Sequence, residues 1–344
     1  MGEGKRTFII AEVGVNHNGD PHVALEMIDT AADAGVDCVK FQTFHAEEFI
    51  NSPGEIYEYN SQGRPVKESM LEMFRRLELK REDFARLFTH ARKRGLIPLS
   101  TPTDREAVDL LDELGAEAFK IGSDDLVYTP FLEYVGRKQK PVILSTGMAR
   151  GFDIDRALRA ITGEGNDNII LLHCVSLYPT PEEALNLRRI QTLGAVFDFP
   201  IGFSDHSSGT TACIGAVALG ACVLEKHFTL NKDMAGPDHW FSADPNELAS
   251  LVREVRRLER ALGGGALKPS VSEQEMARLC RRSIVAGRDL PKGHCLSESD
   301  LAYQRPGTGL PPYDRDRVLG RRTMAAIPKG TILKGYQLEA GFAQ

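Results

Sequence analysis

Near its start the chain reads Phe8-Ile9-Ile10-Ala11-Glu12-Val13-Gly14-Val15-Asn16-His17-Asn18-Gly19. A short apolar run rich in β-branched residues reads as a buried strand, and it closes on a carboxylate and a polar turn. An open, doubly wound sheet carries a glycine-rich phosphate turn with GxGxxG spacing at this place. The turn here lacks that spacing. Working outward, similar apolar runs recur at Cys38–Phe41, Leu96–Ser100, Ala118–Ile121, Val142–Ser145, Ile169–Cys174, Ile201–Ser204 and Cys222–Glu225. Amphipathic helical patterns lie between them, as at Val23–Ala34, Arg81–Arg94, Arg105–Leu114 and Glu247–Leu262. Eight strands alternating with helices over about 260 residues predict a closed (β/α)8 TIM barrel.

The rest of the 344 residues fixes the class. Hydrophobic content of 42% with 26% charged residues excludes bulk disorder. A net charge of −6 argues against nucleic acid as a partner. No apolar stretch approaches the roughly 20 residues that span a bilayer, and the start MGEGKRTFIIAEVG reads as a strand, not a signal peptide. The six cysteines form no CxxC pair and several sit in apolar runs, as reduced thiols do. The expectation is a soluble, cytoplasmic protein with no membrane partner. From Arg281 onward, 11 Lys+Arg face 6 Asp+Glu, a balance of +5 that leaves −11 on the first 280 residues. Gly263 to Ser270 has linker composition, and the tail repeats an apolar run and a Pro-Lys-Gly turn at Ala286–Gly293 and Ala325–Gly330. The domains expected are a barrel at 1–262, a linker at 263–280 and a small β-rich module at 281–344.

Polar groups stand at or just past every strand: Glu12, Lys40 with Gln42, Thr101, Lys120 with Ser123, Ser145, Ser176 with Tyr178, Ser204 with His206, and Glu225 with His227. Barrel enzymes place their chemistry at this end. Residues 43–66 form a long second loop, a candidate lid. His206 and His227 follow adjacent strands, so two imidazoles could share a divalent cation; alternatively each is a satisfied histidine without a metal. Lys40 and Lys120, in the company of Thr101, Ser123, Ser145, Ser176 and Ser204, suit an anion pocket. Either lysine could instead be a Schiff-base nucleophile or reach to solvent. Glu12 must meet a cation, a donor or a substrate hydroxyl, and Lys40 is the neighbouring candidate. Asp238, in Gly236-Pro237-Asp238-His239, reads first as a helix cap, and Arg305 as a loop arginine. Trp240 is a core plug or an aromatic platform.

These motifs together resemble the sialic acid synthases. The residues that carry the resemblance are Glu12 to Gly19, Lys40-Phe-Gln-Thr-Phe, Lys120-Ile-Gly-Ser, Ile143-Leu-Ser-Thr-Gly-Met, Leu172-His-Cys, Tyr178-Pro-Thr-Pro, Ile201-Gly-Phe-Ser-Asp-His-Ser, Glu225-Lys-His-Phe-Thr-Leu and Gly236-Pro-Asp-His. The tail, with Arg305-Pro-Gly-Thr-Gly, resembles their antifreeze-like (SAF) domain. The resemblance implies a transferase that condenses phosphoenolpyruvate with an N-acetylated aldose to a nine-carbon 2-keto acid and releases phosphate. It implies Mn²⁺, or Co²⁺ or Mg²⁺ in its place, on His206 and His227. Lys40, Lys120, Thr101, Ser123, Ser145, Ser176 and Ser204 would then surround phosphoenolpyruvate, and Glu12 the aldehyde end of the sugar. Gln42 and Tyr178 would hold the N-acetyl end and Asp238 the distal hydroxyls, with Glu225 beside the reacting centre. A domain-swapped homodimer would bring Arg305 into the partner's site. Two positions depart from the neuraminate pattern. Asp125 replaces a glutamate and Ser176 an asparagine, while Gly-Pro-Asp-His and Arg-Pro-Gly-Thr point away from the pseudaminate branch and toward N-acetylmannosamine or a 2,4-diacetamido-trideoxymannose. The rivals are a lysine-dependent aldolase and a non-catalytic carbohydrate-binding protein.

Overall fold

The computed structural model describes residues 5–52 and 54–339. The chain divides into two compact units, Met1–Gly263 and Gly264–Gln344. The first holds eight parallel strands: β1 (Phe8–Gly14), β2 (Cys38–Thr43), β3 (Ile97–Pro102), β4 (Phe119–Ile121), β5 (Val142–Ser145), β6 (Ile169–Cys174), β7 (Ile201–Asp205) and β8 (Val223–His227). Their order round the sheet is β3-β2-β1-β8-β7-β6-β5-β4, and its two ends, β3 and β4, lie side by side, which makes the barrel.

Strand side chains alternate between two faces, and here one parity points into the barrel. Ile10, Cys38, Leu99, Ala118, Ile143, Ile170, Leu172 and Val223 form an apolar plug inside it. Two residues further along the same strands come Glu12, Lys40, Thr101, Lys120, Ser145, Cys174 and Glu225, and β7 adds Ser204. One parity therefore builds an oily floor and, one step up, a polar ring. The opposite parity, such as Ile9, Val39, Phe41 and Phe203, packs outward with Phe84, Phe88, Leu111, Val135 and Leu251 of the helices. Gly202 is the floor position of β7. A Cβ there would come 2.7 Å from the Val223 carbonyl oxygen and strike the Leu172 side chain, so only glycine fits.

The helices start where short polar side chains satisfy free N–H groups. Asp20, Asp104 and Asp244 cap helices Pro21–Ala34, Arg105–Glu113 and Pro245–Leu262, the last through a capping box with Glu247. The stretch read as a long second loop is structured. It contains a short helix, Ala46–Phe49, and an antiparallel hairpin, Ile56–Ser61 with Arg64–Ser69, turning on Gln62 and Gly63 with φ of 53° and 72°. Tyr57, Tyr59 and Phe74 pack against a small cluster of Val15, Phe44, Met73 and Leu77.

In the second unit Ser283–Ala286 pairs antiparallel with Leu301–Gln304 over a core of Ile284, Leu290, Leu296, Val318, Ile327, Leu333 and Leu338. The two repeat copies meet: Leu290 and Ile327 exchange both backbone hydrogen bonds at 2.8 Å, and each Pro-Lys-Gly turn ends on a left-handed glycine, Gly293 or Gly330. Val271–Cys280, inside the stretch read as linker, forms a helix because Ser270 and Glu273 make a reciprocal cap.

Candidate active site

Parallel strands end on one face, so the polar ring gathers its side chains around a single point. Two carboxylates and two ammonium groups occupy its centre, none more than 5% exposed. Lys40 Nζ lies 2.9 Å from Glu12 Oε2 and 3.7 Å from Glu225 Oε2, and donates to Thr101 Oγ1 at 3.0 Å. Lys120 Nζ lies 3.6 Å from Glu225 Oε1 and donates to Ser145 Oγ at 2.8 Å and to the Ile121 carbonyl at 3.2 Å. Ser204 Oγ donates to Glu225 Oε1 at 2.9 Å.

The two carboxylates differ in company. Burial pushes the Glu225 carboxyl up, but Lys120, Lys40 and Ser204 together outweigh it and hold the group below its ordinary value. Glu12 is equally buried, has Lys40 as its main opposing charge and feels Glu225 as a like charge, so it is pushed up to about 7. Burial lowers Lys120, whereas Glu12 and Glu225 raise Lys40 despite its burial. Burial thus separates one carboxyl that stays ionised from one that exchanges protons near neutrality, the division acid–base chemistry uses.

Above the ring, His206 and His227 stand edge to face with ring centroids 5.3 Å apart, and Tyr178 packs tilted against His206 at 4.2 Å. His206 Nδ1 lies 2.8 Å from the Val175 carbonyl. A carbonyl only accepts, so this nitrogen carries a proton and Nε2 is the nitrogen left to face a cation. His227 Nδ1 is buried without a hydrogen-bond partner, with Asp238 Oδ2 at 3.7 Å. Burial first, then the His206 and Lys40 charges, keep His227 well below its ordinary value and therefore neutral. Burial lowers His206 too, but Cys174, the Val175 carbonyl and Glu225 outweigh it and raise the group. His227 therefore offers a neutral ring, and His206 would give up its second ring proton to a cation. Two such imidazoles in a polar, buried site fit a divalent cation that leaves positions open to substrate oxygens. Among the described residues no cluster of three or more His, Cys, Asp or Glu is placed to hold a metal ion, so the two imidazoles are the donor set for one.

The other expected residues take varied places. Gln42 and Glu12 both line the space beside Gly14, where a Cβ would come 3.6 Å from Gln42 Nε2 and 3.2 Å from Glu12 Oε1. Ser123 and Ser176 flank Gly147, whose backbone N–H donates to Ser123 Oγ at 2.9 Å. Asp238 is pushed up to about 6 by burial. Asp125 opens a single 3₁₀ turn beyond β4 and is pushed up to about 7 by burial and the neighbouring Asp124. Arg305 follows the strand Leu301–Gln304 in the second unit. Trp240 sits edge-on to Phe241, which packs on Tyr178 and His227.

Sequence reasoning missed the residues behind these. Asn16 Nδ2 donates to the Phe228 carbonyl at 2.9 Å and to Ser242 Oγ at 3.0 Å, and Ser242 Oγ donates to the Asp238 carbonyl at 2.6 Å. His17 and His239, both buried and pushed down to about 4 by burial, hold neighbouring loops as neutral rings. The hairpin is tied to the loop after β8 by Gly236 N to Ser61 Oγ at 3.0 Å and Gln62 Nε2 to the Asp233 carbonyl at 2.9 Å. The one signal for these was the density of Asn, His and Gly in two short turns.

Residues 27–267 match the NeuB family, and residues 281–339 match the SAF domain. The N,N'-diacetyllegionaminic acid synthase of Campylobacter jejuni is 43% identical over 319 residues, 92% of this chain and 96% of that one. The N-acetylneuraminate-9-phosphate synthase of Mus musculus is 38% identical over 97% of this chain and 93% of its own. A crystal structure of the N-acetylneuraminic acid synthetase of Leptospira borgpetersenii, in complex with citrate, superposes with a TM-score of 0.73 at 39% identity, covering 79% of this chain and 90% of that one.

Proposed function

The chain belongs to the NeuB family, and from that premise we propose that it works as a nonulosonic acid synthase. It condenses phosphoenolpyruvate with an N-acetylated mannose-type aldose to a nine-carbon 2-keto acid and releases phosphate. The observation that carries the reading is the polar ring of Glu12, Lys40, Lys120 and Glu225 directly beneath the His206–His227 pair. A Schiff-base aldolase finds no support among the relatives, and Lys40 is engaged by carboxylates rather than poised as a free amine.

His206 and His227 would hold the cation, Mn²⁺ in this proposal, which supplies Lewis-acid polarisation of the aldehyde when bound. The chain's own residues then do the following. Lys120, with Ser145, and Lys40, with Thr101, meet the carboxylate and phosphate of phosphoenolpyruvate; Ser123 and Ser176 flank the same region at Gly147. Two ammonium charges are balanced by two carboxylates in the ring, so an incoming trianion adds charge that the ring does not offset. Glu12, with a value of about 7, takes up a proton and frees one ammonium charge. It then carries that proton at its carboxyl oxygen to the aldehyde oxygen as C3 of phosphoenolpyruvate bonds to the aldehyde carbon. Glu225, held ionised, faces the cationic C2 that results. Water adds to that carbon and gives one proton to Glu12, now a carboxylate. The tetrahedral intermediate then breaks its C–O bond, forming the 2-keto group as the remaining hydroxyl proton leaves with phosphate. Gln42 and Tyr178 would hold the N-acetyl end of the sugar and Asp238 its distal hydroxyls.

We place the catalytic unit at 1–262 and a second module at 281–344, joined through 263–280. The +5 tail and the −11 remainder would attract within one chain or between two, and the homodimer in which Arg305 serves the partner's site rests on the likeness to the family. Among the described residues no helix is long and apolar enough to cross a membrane, and a cytoplasmic location belongs to the same proposal. The test offers phosphoenolpyruvate with N-acetylmannosamine, 2,4-diacetamido-2,4,6-trideoxymannose and mannose, and reads the keto acid by mass. A nine-carbon product from one of the two N-acetylated sugars supports the reading. No product from either overturns it.

A further inference from the structure

Between Ser204 and His206 lies Asp205, and between Glu225 and His227 lies Lys226. By strand alternation their neighbours point into the site and they point out of the barrel, beneath the outer helices. There the two residues form an ion pair, Lys226 Nζ to Asp205 Oδ2 at 2.8 Å, with side chains 1% and 0% exposed. The pair is directly opposed in the register of β7 and β8. Every nearby polar group is used: Asp205 Oδ1 accepts from Ser207 N at 2.8 Å and Ser207 Oγ at 2.6 Å, Oδ2 also accepts from Cys213 Sγ at 3.2 Å, and Lys226 Nζ donates to the Ser207 carbonyl as well. His206 is therefore bracketed by two anchored residues, 205 and 207, and both are tied to the residue that precedes His227.

A buried ion pair is a poor source of stability, because desolvating two charges offsets their attraction. What such a pair gives here is position, since a charge pair at 2.8 Å has one good geometry and an apolar contact has many. We propose that Asp205 and Lys226 are positioning residues that set the spacing of the His206 and His227 imidazoles, and with it the bite of the cation site. The proposal rests on the cation reading given above. Neither residue touches substrate; both act through the backbone of the two strand ends.

The test compares cation binding with folding in the substrate-free protein. Asp205→Asn with Lys226→Met keeps an acceptor for Ser207 and removes the charged tie between the strands. The thermal midpoint of this double variant should stay close to that of the unmodified chain. Its Mn²⁺ affinity, read by electron paramagnetic resonance, should fall about 10–100-fold, the range that supporting contacts command in metal sites. A double variant that binds Mn²⁺ as tightly as the unmodified chain overturns the clamp. If that variant does not fold, Ser207→Ala removes only one hydroxyl from the bracket. It should weaken Mn²⁺ binding about fivefold while lowering the midpoint by only about 2–4 °C, so the protein stays folded where binding is read. Unchanged affinity there overturns the proposal too. His227→Ala separates the two claims: if it binds Mn²⁺ as well as the unmodified chain, or if neither binds, the cation reading falls and the clamp falls with it.

Discussion

Replacing Lys120 by methionine keeps its volume and removes one of the two ammonium groups of the ring. The lost contacts are the 2.8 Å bond to Ser145 Oγ, the 3.2 Å bond to the Ile121 carbonyl and the 3.6 Å approach to Glu225 Oε1. Removing one partner of a buried pair costs about 3–5 kcal/mol when it leaves the other charge uncompensated. Glu225 retains Lys40 at 3.7 Å and Ser204 at 2.9 Å, so the lower end applies. About 3 kcal/mol corresponds to a fall in Tm of roughly 6–12 °C for a unit of this size. Adding Glu225→Gln removes the stranded charge and should return most of that loss. Catalysis should not return with it. A charge-assisted contact to phosphoenolpyruvate is worth about 1.5–3 kcal/mol, or roughly 10–150-fold in kcat/KM for that substrate. The assay is phosphate release at varied phosphoenolpyruvate, beside thermal scans of both variants. If Lys120→Met changed only the KM of the sugar, the anion-binding role would be wrong. If Lys120→Met lowered Tm but left phosphoenolpyruvate kinetics unchanged, Lys120 would serve only to pair Glu225.

Chelation should abolish turnover, and Mn²⁺ or Co²⁺ should restore it better than Mg²⁺, since imidazole ligands favour transition metals; full activity after exhaustive chelation would refute the role of His206 and His227. Arg305→Ala and His206→Ala should each be nearly inactive alone, yet co-refolding at random should give about a quarter of full activity, because half of the dimers then hold one intact site. An arginine serving its own chain predicts no recovery. In the second unit the buried Asp300 carboxylate accepts from His294, Ser297 and Arg288, which outweigh its burial and hold it well below its ordinary value. Its folded value lies under the unfolded value of about 3.9, so its contribution is complete above that pH and drains as pH falls through it. Asp300→Asn should lower the midpoint of the second unit in the full chain at pH 7 and flatten its loss toward acid. Equal acid dependence in both proteins would show that another group controls it.

The barrel was legible because each strand is a short apolar run, and the polar ring because a parallel strand repeats its facing every second residue. Glu12, Lys40, Thr101, Lys120 and Ser145 each stand two positions past a floor residue, which sequence alone displays. Strand ends were less exact. β8 runs from Val223 to His227, so His227 belongs to the strand and not to the loop after it. The hairpin at 56–69 escaped because its alternation lasts only six residues a side and includes Pro65. The helix Val271–Cys280 was announced by Ser270 and Glu273 at capping-box spacing, next to a glycine run that reads as linker. Asn16 with Phe228 and Asp205 with Lys226 were not legible, since partners 212 and 21 positions apart are set by the closed barrel and not by local pattern.

A site that joins phosphoenolpyruvate to a sugar aldehyde as proposed must break the C–O bond to phosphate and leave the P–O bond intact. Phosphoenolpyruvate carrying ¹⁸O at the bridging position, supplied with the accepted aldose, tests it directly. The released phosphate should retain the label, one phosphate for each keto acid formed. Unlabelled phosphate would contradict it, as would product formed from pyruvate alone with borohydride trapping Lys40 or Lys120.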